Sequence, residues 1–243
     1  MRLRRLIPIV TAFVWIETAS PIASADAVPT SQTSPLPTSS GSVAQAAQST
    51  PMPDFERVVE RARLEVSRGV IYDPSYVSLS YPGGDVDPSR GVCTDVVIRA
   101  LRAVGIDLQR LVHEDIQKRP TAYKRNGKRA DANIDHRRAT PLLTWFKTYA
   151  RSLPISVETE AARASYAAGD ILVWSLHRNG QAEHVGVVSD RKGARGLPLV
   201  IHNIGPHPTE EDVLDAWQIL GHYRAMAPTG KDSPDARSGK RQE

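Results

Sequence analysis

Phe55, Val58, Val59, Ala62 and Val66 fall at i, i+3, i+4, i+7 and i+11, the spacing of one helix face, and Gly69 follows where such a helix can close. Residues 72 to 88 break the pattern. They run from Tyr72-Asp73-Pro74 through Pro82-Gly83-Gly84 to Asp87-Pro88 and predict turns. A second helix opens near Cys93, with Val96, Val97, Ala100, Leu101 and Val104 on its apolar face and Gly105 at its end. Cys93 lies three and four residues before Val96 and Val97, which puts it on the buried face of that helix, in the first turn. Two further helices are predicted, from Leu108 to about Lys118 after the cap Asp107, and from Pro141 to about Arg151 after the cap Thr140.

From Gly169 onward the period changes. Ile171-Leu172-Val173-Trp174, His184-Val185-Gly186-Val187-Val188, Leu199-Val200-Ile201-His202 and Trp217-Gln218-Ile219 to Tyr223 are short apolar runs separated by Gly, Asn and Pro, as strands are. Helices followed by a run of short strands predict an α+β fold, with N-terminal helices packed on an antiparallel sheet of short strands. No alternating βαβ pattern and no internal repeat is present.

The ends of the chain read differently. Arg2, Arg4 and Arg5, an apolar run from Leu6 to Ile16 and the small residues Ala23-Ser24-Ala25 form the three parts of a secretory signal, so residues 1–25 are expected to be cleaved. The apolar run is shorter than the roughly 20 residues that span a bilayer. No cysteine lies nearby to carry a lipid. The mature chain is therefore expected to be exported, to the periplasm or beyond the cell, without stable membrane insertion. Residues 26–53 are Ser, Thr, Ala, Pro and Gln with few large apolar side chains, and cannot bury enough surface to offset the entropy of ordering; a flexible linker is expected there. A tail over 228–243 has the same character. Residues 54–227 are left as one domain, read as a monomer. Cleavage takes three arginines and one glutamate with it and lowers the formal charge from +4 to +2, so the basicity is largely targeting sequence. With 6% aromatic residues and no basic stripe, nucleic acid is not an expected partner.

The 243 residues include one cysteine, which excludes an intramolecular disulfide and cysteine-rich zinc sites. A thiol is a nucleophile as the thiolate, and a helix N-terminus favours that form through its free N–H groups. Cys93 is placed to receive this help, and needs a base and a third group to orient the base. His184 begins one predicted strand and His202 ends another; adjacent strands lie about 4.8 Å apart, close enough for one imidazole to orient the other. Asn203 is the alternative third member, although strand alternation turns it away from the face of His202. Asp95 can bind a substrate amine or favour the first turn of the helix, and its charge opposes thiolate formation. Asp135-His136-Arg137-Arg138 can be a structural turn, an ion-pair cluster or, through His136, part of a substrate groove. His113 beside Glu114-Asp115 fits a solvated helix face. No HExxH or similar spacing points to zinc, and no metal or other cofactor is expected.

Gly91-Val92-Cys93-Thr94-Asp95 opening a helix, Gly169-Asp170-Ile171-Leu172-Val173-Trp174, His184-Val185-Gly186-Val187-Val188 and Ile201-His202 resemble the NlpC-type branch of the papain-like cysteine peptidases. Tyr81-Pro82, Arg90-Gly91-Val92-Cys93-Thr94-Asp95, Val112-His113-Glu114-Asp115, Asn133-Ile134-Asp135-His136-Arg137-Arg138, Ile201-His202-Asn203-Ile204-Gly205 and Gly221-His222-Tyr223-Arg224 resemble, more closely, exported bacterial proteins described as a domain of unknown function and placed in that superfamily. The resemblance runs from about Phe55 to Met226. It implies a papain-like α+β domain that hydrolyses amide bonds in peptidoglycan stem peptides, as endopeptidase or amidase. Cys93 would be the nucleophile, His184 the base and His202 the orienting group, with Tyr81 on the oxyanion side. Val92 stands where many members carry Asp, and the stretch between Cys93 and His184 is longer, holding two extra helices. The alternative is an inactive module of the same fold that keeps a groove for cell-wall peptides.

Overall fold

A computed structural model describes residues 54–225 apart from 126. The signal assigned to 1–25, the linker over 26–53 and the tail over 228–243 lie outside the described residues. The helices are α1 (Asp54–Ser67), α2 (Cys93–Arg102), α3 (Leu108–Lys118), α4 (Ala139–Tyr149) and the short α5 (Glu160–Ala164), with one 3-10 turn at Asp135–Arg137. The strands are β1 (Ile71–Tyr72), β2 (Arg90–Gly91), β3 (Arg151–Ser152), β4 (Ile171–Ser175), β5 (His184–Lys192), β6 (Pro198–His202), β7 (Thr209–Glu211) and β8 (Gln218–Arg224). The fold is α+β. Strands β3-β8-β4-β5-β6-β7 form one sheet with every pairing antiparallel, while β1 and β2 pair in parallel beside it.

Apart from Phe55, which is exposed, the helix faces read from the sequence are the ones that pack into the core. Val58, Val59 and Ala62 of α1 and Val96, Val97, Ala100 and Leu101 of α2 join Ile171, Val173, Val185, Val187 and Ile201 of the sheet in one core. Alternation sends Leu172, Trp174, Val188 and Val200 to the other face, where Leu214 and Tyr166 cover them. Among the described residues, no helix is long and apolar enough to cross a membrane.

Two local expectations change. Thr140 does not cap α4: the helix starts at Ala139, two residues earlier than expected, and the Thr140 hydroxyl donates to the carbonyl of Ala182 at 3.1 Å. The sequence pattern also misses β1, β2, β3 and β7, because two or three residues are too few to show a period. Asp107 does cap α3, accepting from the Gln109 N–H at 3.1 Å.

Candidate active site

Cys93 is the first residue of α2, with extended Val92 before it. Asp95 shapes this start: its carboxylate accepts from the Val92 N–H at 2.7 Å, and its two oxygens accept from Arg137 Nε and Nη2, each at 2.9 Å. Gly91 makes room for that turn, since a Cβ there would lie 3.0 Å from the Cβ of Asp95. Of the two roles open to Asp95, the structure assigns the capping one. Its carboxylate is buried in an ion pair and is not offered to a substrate amine.

The register places the two histidines side by side. Trp174 pairs with His184 and Gly186 with His202, so His184 and His202 share one sheet face on adjacent strands. His184 Nε2 and His202 Nδ1 are 2.8 Å apart, and His202 Nε2 lies 2.9 Å from Glu211 Oε1 on β7. A carboxylate only accepts, so His202 carries its proton on Nε2 and presents a lone pair at Nδ1. His184 then donates from Nε2, and its Nδ1 is left as the basic nitrogen. Trp174 stacks on His184 at 5.6 Å between ring centroids, and Trp217 meets both imidazoles edge-on at 5.6 and 5.8 Å. Gly186 is part of the arrangement, because a Cβ there would lie 3.2 Å from the Cβ of His202 and 2.8 Å from Val200 Cγ1.

Cys93 packs in the core at the start of β5. Burial pushes its thiol up to about 11, Asp95 adds to the rise, and the N–H groups of Val185, Thr94 and Cys93 itself act in the opposite direction. This corrects the expectation of a helix-stabilised thiolate: desolvation outweighs the helix N-terminus, and the resting group is a neutral thiol. Burial, with His202 beside it, pushes His184 down to about 3, and burial also lowers His202 against the pull of Glu211. Both histidines are therefore neutral at pH 7.

A cavity of about 390 Å³ opens above Cys93, lined among others by Tyr72, Thr94, Arg137, Arg138 and Glu183. Several expected site residues stand elsewhere. Tyr81 is exposed, packs edge-on against His113 of α3 at 5.1 Å, and does not line the cavity. The tyrosine beside the thiol is Tyr72, whose hydroxyl is raised by burial and then by the nearby Cys93 and Asp95. Asn203 does not reach His184: its amide donates to the Gly91 carbonyl at 3.2 Å and its oxygen accepts from the Gly205 N–H at 3.0 Å, tying β6 to the segment before Cys93. His136 is buried off the cavity with Nδ1 unpartnered, and burial pushes it down to about 4. From that turn it is the neighbours Arg137 and Arg138 that line the cavity. Glu211 and Tyr72 had no signal of their own in the sequence, one lying in an acidic run and the other in a turn-rich stretch. Among the described residues, no group of three or more His, Cys, Asp or Glu side chains is arranged to hold a metal ion.

Residues 59–225 match the family model described as "Domain of unknown function (DUF1287)". The chain is 51% identical over 169 residues to the Escherichia coli (strain K12) "Uncharacterized protein YijF", an alignment covering 69% of this chain and 80% of that protein. No solved structure matches.

Proposed function

The chain belongs to the DUF1287 family, and we propose that it is an exported cysteine hydrolase cleaving amide bonds in peptidoglycan stem peptides. The observation that carries the reading is the hydrogen-bonded chain His184, His202 and Glu211 on neighbouring strands, with Cys93 at a helix start against the N–H of Val185, the residue that follows His184. The resemblance of these segments to NlpC-type papain-like peptidases supplies the reaction class and the substrate. The signal-like residues 1–25 supply the compartment, periplasm or extracellular space.

In this reading His184 accepts the thiol proton at Nδ1 as Cys93 Sγ attacks the carbonyl carbon, because neither group is charged beforehand. The first N–H groups of α2, which have no carbonyl a turn earlier, face the developing oxyanion. His184 then delivers its proton to the leaving amine as the C–N bond breaks, and water hydrolyses the thioester to a carboxylic acid and the free thiol. His202, held by Glu211, keeps the His184 ring in the tautomer that has its lone pair on Nδ1.

The test is release of soluble peptide from purified cell walls by the wild-type chain and by Cys93→Ala. Release that falls by at least about a thousandfold in the variant supports the hydrolase, the loss expected when a nucleophile is removed. Equal release by both overturns it, and wall binding without release by the wild type assigns the domain to peptide binding instead.

A further inference from the structure

Charged side chains around the cavity above Cys93 are nearly all committed. Arg137 is buried and gives Nε and Nη2 to Asp95, with further bonds to the carbonyls of Ser75 and Asp73. Glu183 accepts from the backbone N–H of His177 at 3.1 Å and lies 2.8 Å from its Nδ1. Arg138 is different: it lines the cavity, is exposed, and makes no ion pair or side-chain hydrogen bond among the described residues. On the same cavity, Thr94 is 1% exposed and its Oγ1 has no hydrogen-bond partner. A buried hydroxyl without a partner is destabilising unless something completes it. The N-terminus of α2 adds partial positive charge in the same place.

We propose that this cavity is a carboxylate-binding subsite, in which Arg138 pairs with an anionic group of the substrate and the Thr94 hydroxyl donates to it. The hydrolase reading sets its place in the chemistry: the preferred acyl donor carries a free carboxylate next to the amide that Cys93 attacks. A guanidinium is the residue suited to that recognition, since its donors match both oxygens of a carboxylate. Arg137, turned inward onto Asp95, holds the wall and leaves Arg138 to the ligand. A phosphate-bearing ligand would meet the same donors, so the probe must carry a carboxylate.

Alkylation of the single cysteine reads the subsite without requiring any hydrolysis. Iodoacetate and iodoacetamide both form an S–C bond at Cys93 with loss of iodide and of the thiol proton, and differ in charge and little in size. In the full chain, Arg138→Gln should slow labelling by iodoacetate about three- to tenfold while changing labelling by iodoacetamide less than twofold. Added salt should slow iodoacetate in the wild type and have little effect in Arg138→Gln. Arg138→Lys should fall between the two. The unchanged iodoacetamide rate also shows that the variant is folded around Cys93. An iodoacetate-to-iodoacetamide ratio that is the same in wild type and Arg138→Gln overturns the subsite, whether or not the chain hydrolyses cell walls. If instead the ratio falls as expected while Cys93→Ala and wild type release equal peptide, the subsite stands and the hydrolase reading is lost.

Discussion

A carboxylate can only accept a hydrogen bond, and this property of Glu211 sets the protonation of two histidines. Glu211 requires the Nε2–H tautomer of His202, and His202 in turn requires the Nε2–H tautomer of His184. Nitrogen NMR of the histidine rings should show both as Nε2–H in the wild type. In Glu211→Ala, His202 should become a tautomer mixture and hydrolysis should drop about tenfold or more. Glu211→Gln, whose side-chain oxygen can still accept, should restore the tautomer. Unchanged ring signals in Glu211→Ala would remove Glu211 from the site. None of this was legible from residue types, because Glu210 and Glu211 are chemically alike and adjacent. Register separates them, sending Glu210 to Arg63 and Ser189 and Glu211 to His202.

At the scale of elements, the start of α2 and the β5–β6 pair position the site. Local sequence carried most of the first: the apolar period of α2 and an acidic side chain in its first turn are both read within a few positions. It also carried the two strands that bear His184 and His202, whose pairing the structure supplies. What the period cannot show is the clearance between them. Gly186 faces His202 across the ladder, and a methyl group there meets Val200 Cγ1 at 2.8 Å and the Ile201 carbonyl oxygen at 3.1 Å. Gly186→Ala should push β6 away from β5, lower stability by about 1–3 kcal/mol and lengthen the His184–His202 bond. Urea unfolding and the ring-proton spectrum measure the two effects. A wild-type midpoint with an unshifted His184 signal contradicts this role for Gly186.

Across the whole molecule, buried histidines should make folding sensitive to acid. Burial depresses His184 to about 3 and His136 to about 4 in the folded state, and lowers His202. Unfolding returns each to an ordinary imidazole near 6.5, so the unfolded chain binds more protons below that pH. Their contribution is fully present above about pH 6.5 and is lost as pH falls toward the folded values, each group adding at most about 1.4 kcal/mol per pH unit. Asp170, Asp115 and Glu210, held below the usual carboxylate range by His222 and Arg224, by Arg119, and by Arg63 respectively, extend the same loss to more acidic pH. Urea midpoints should therefore fall between pH 7 and pH 4.5. A flat or rising midpoint over that interval would contradict the burial of neutral histidines.

The sequence by itself determined the four longer helices and the four longer strands, the α+β class, the helix-start position of Cys93 and the two strands that carry His184 and His202. These are set by periodicity and capping, which act over a few neighbouring residues. Only the tertiary structure decided that Tyr72 and not Tyr81 stands beside the thiol, that Asn203 ties β6 to the segment before Cys93, and that Glu211 completes the histidine chain. It also decided that Asp95 is spent on Arg137 while Arg138 stays open to the cavity, and that the thiol rests neutral. Each of these depends on strand register and on desolvation by segments distant in the chain, and neither quantity is written in local sequence.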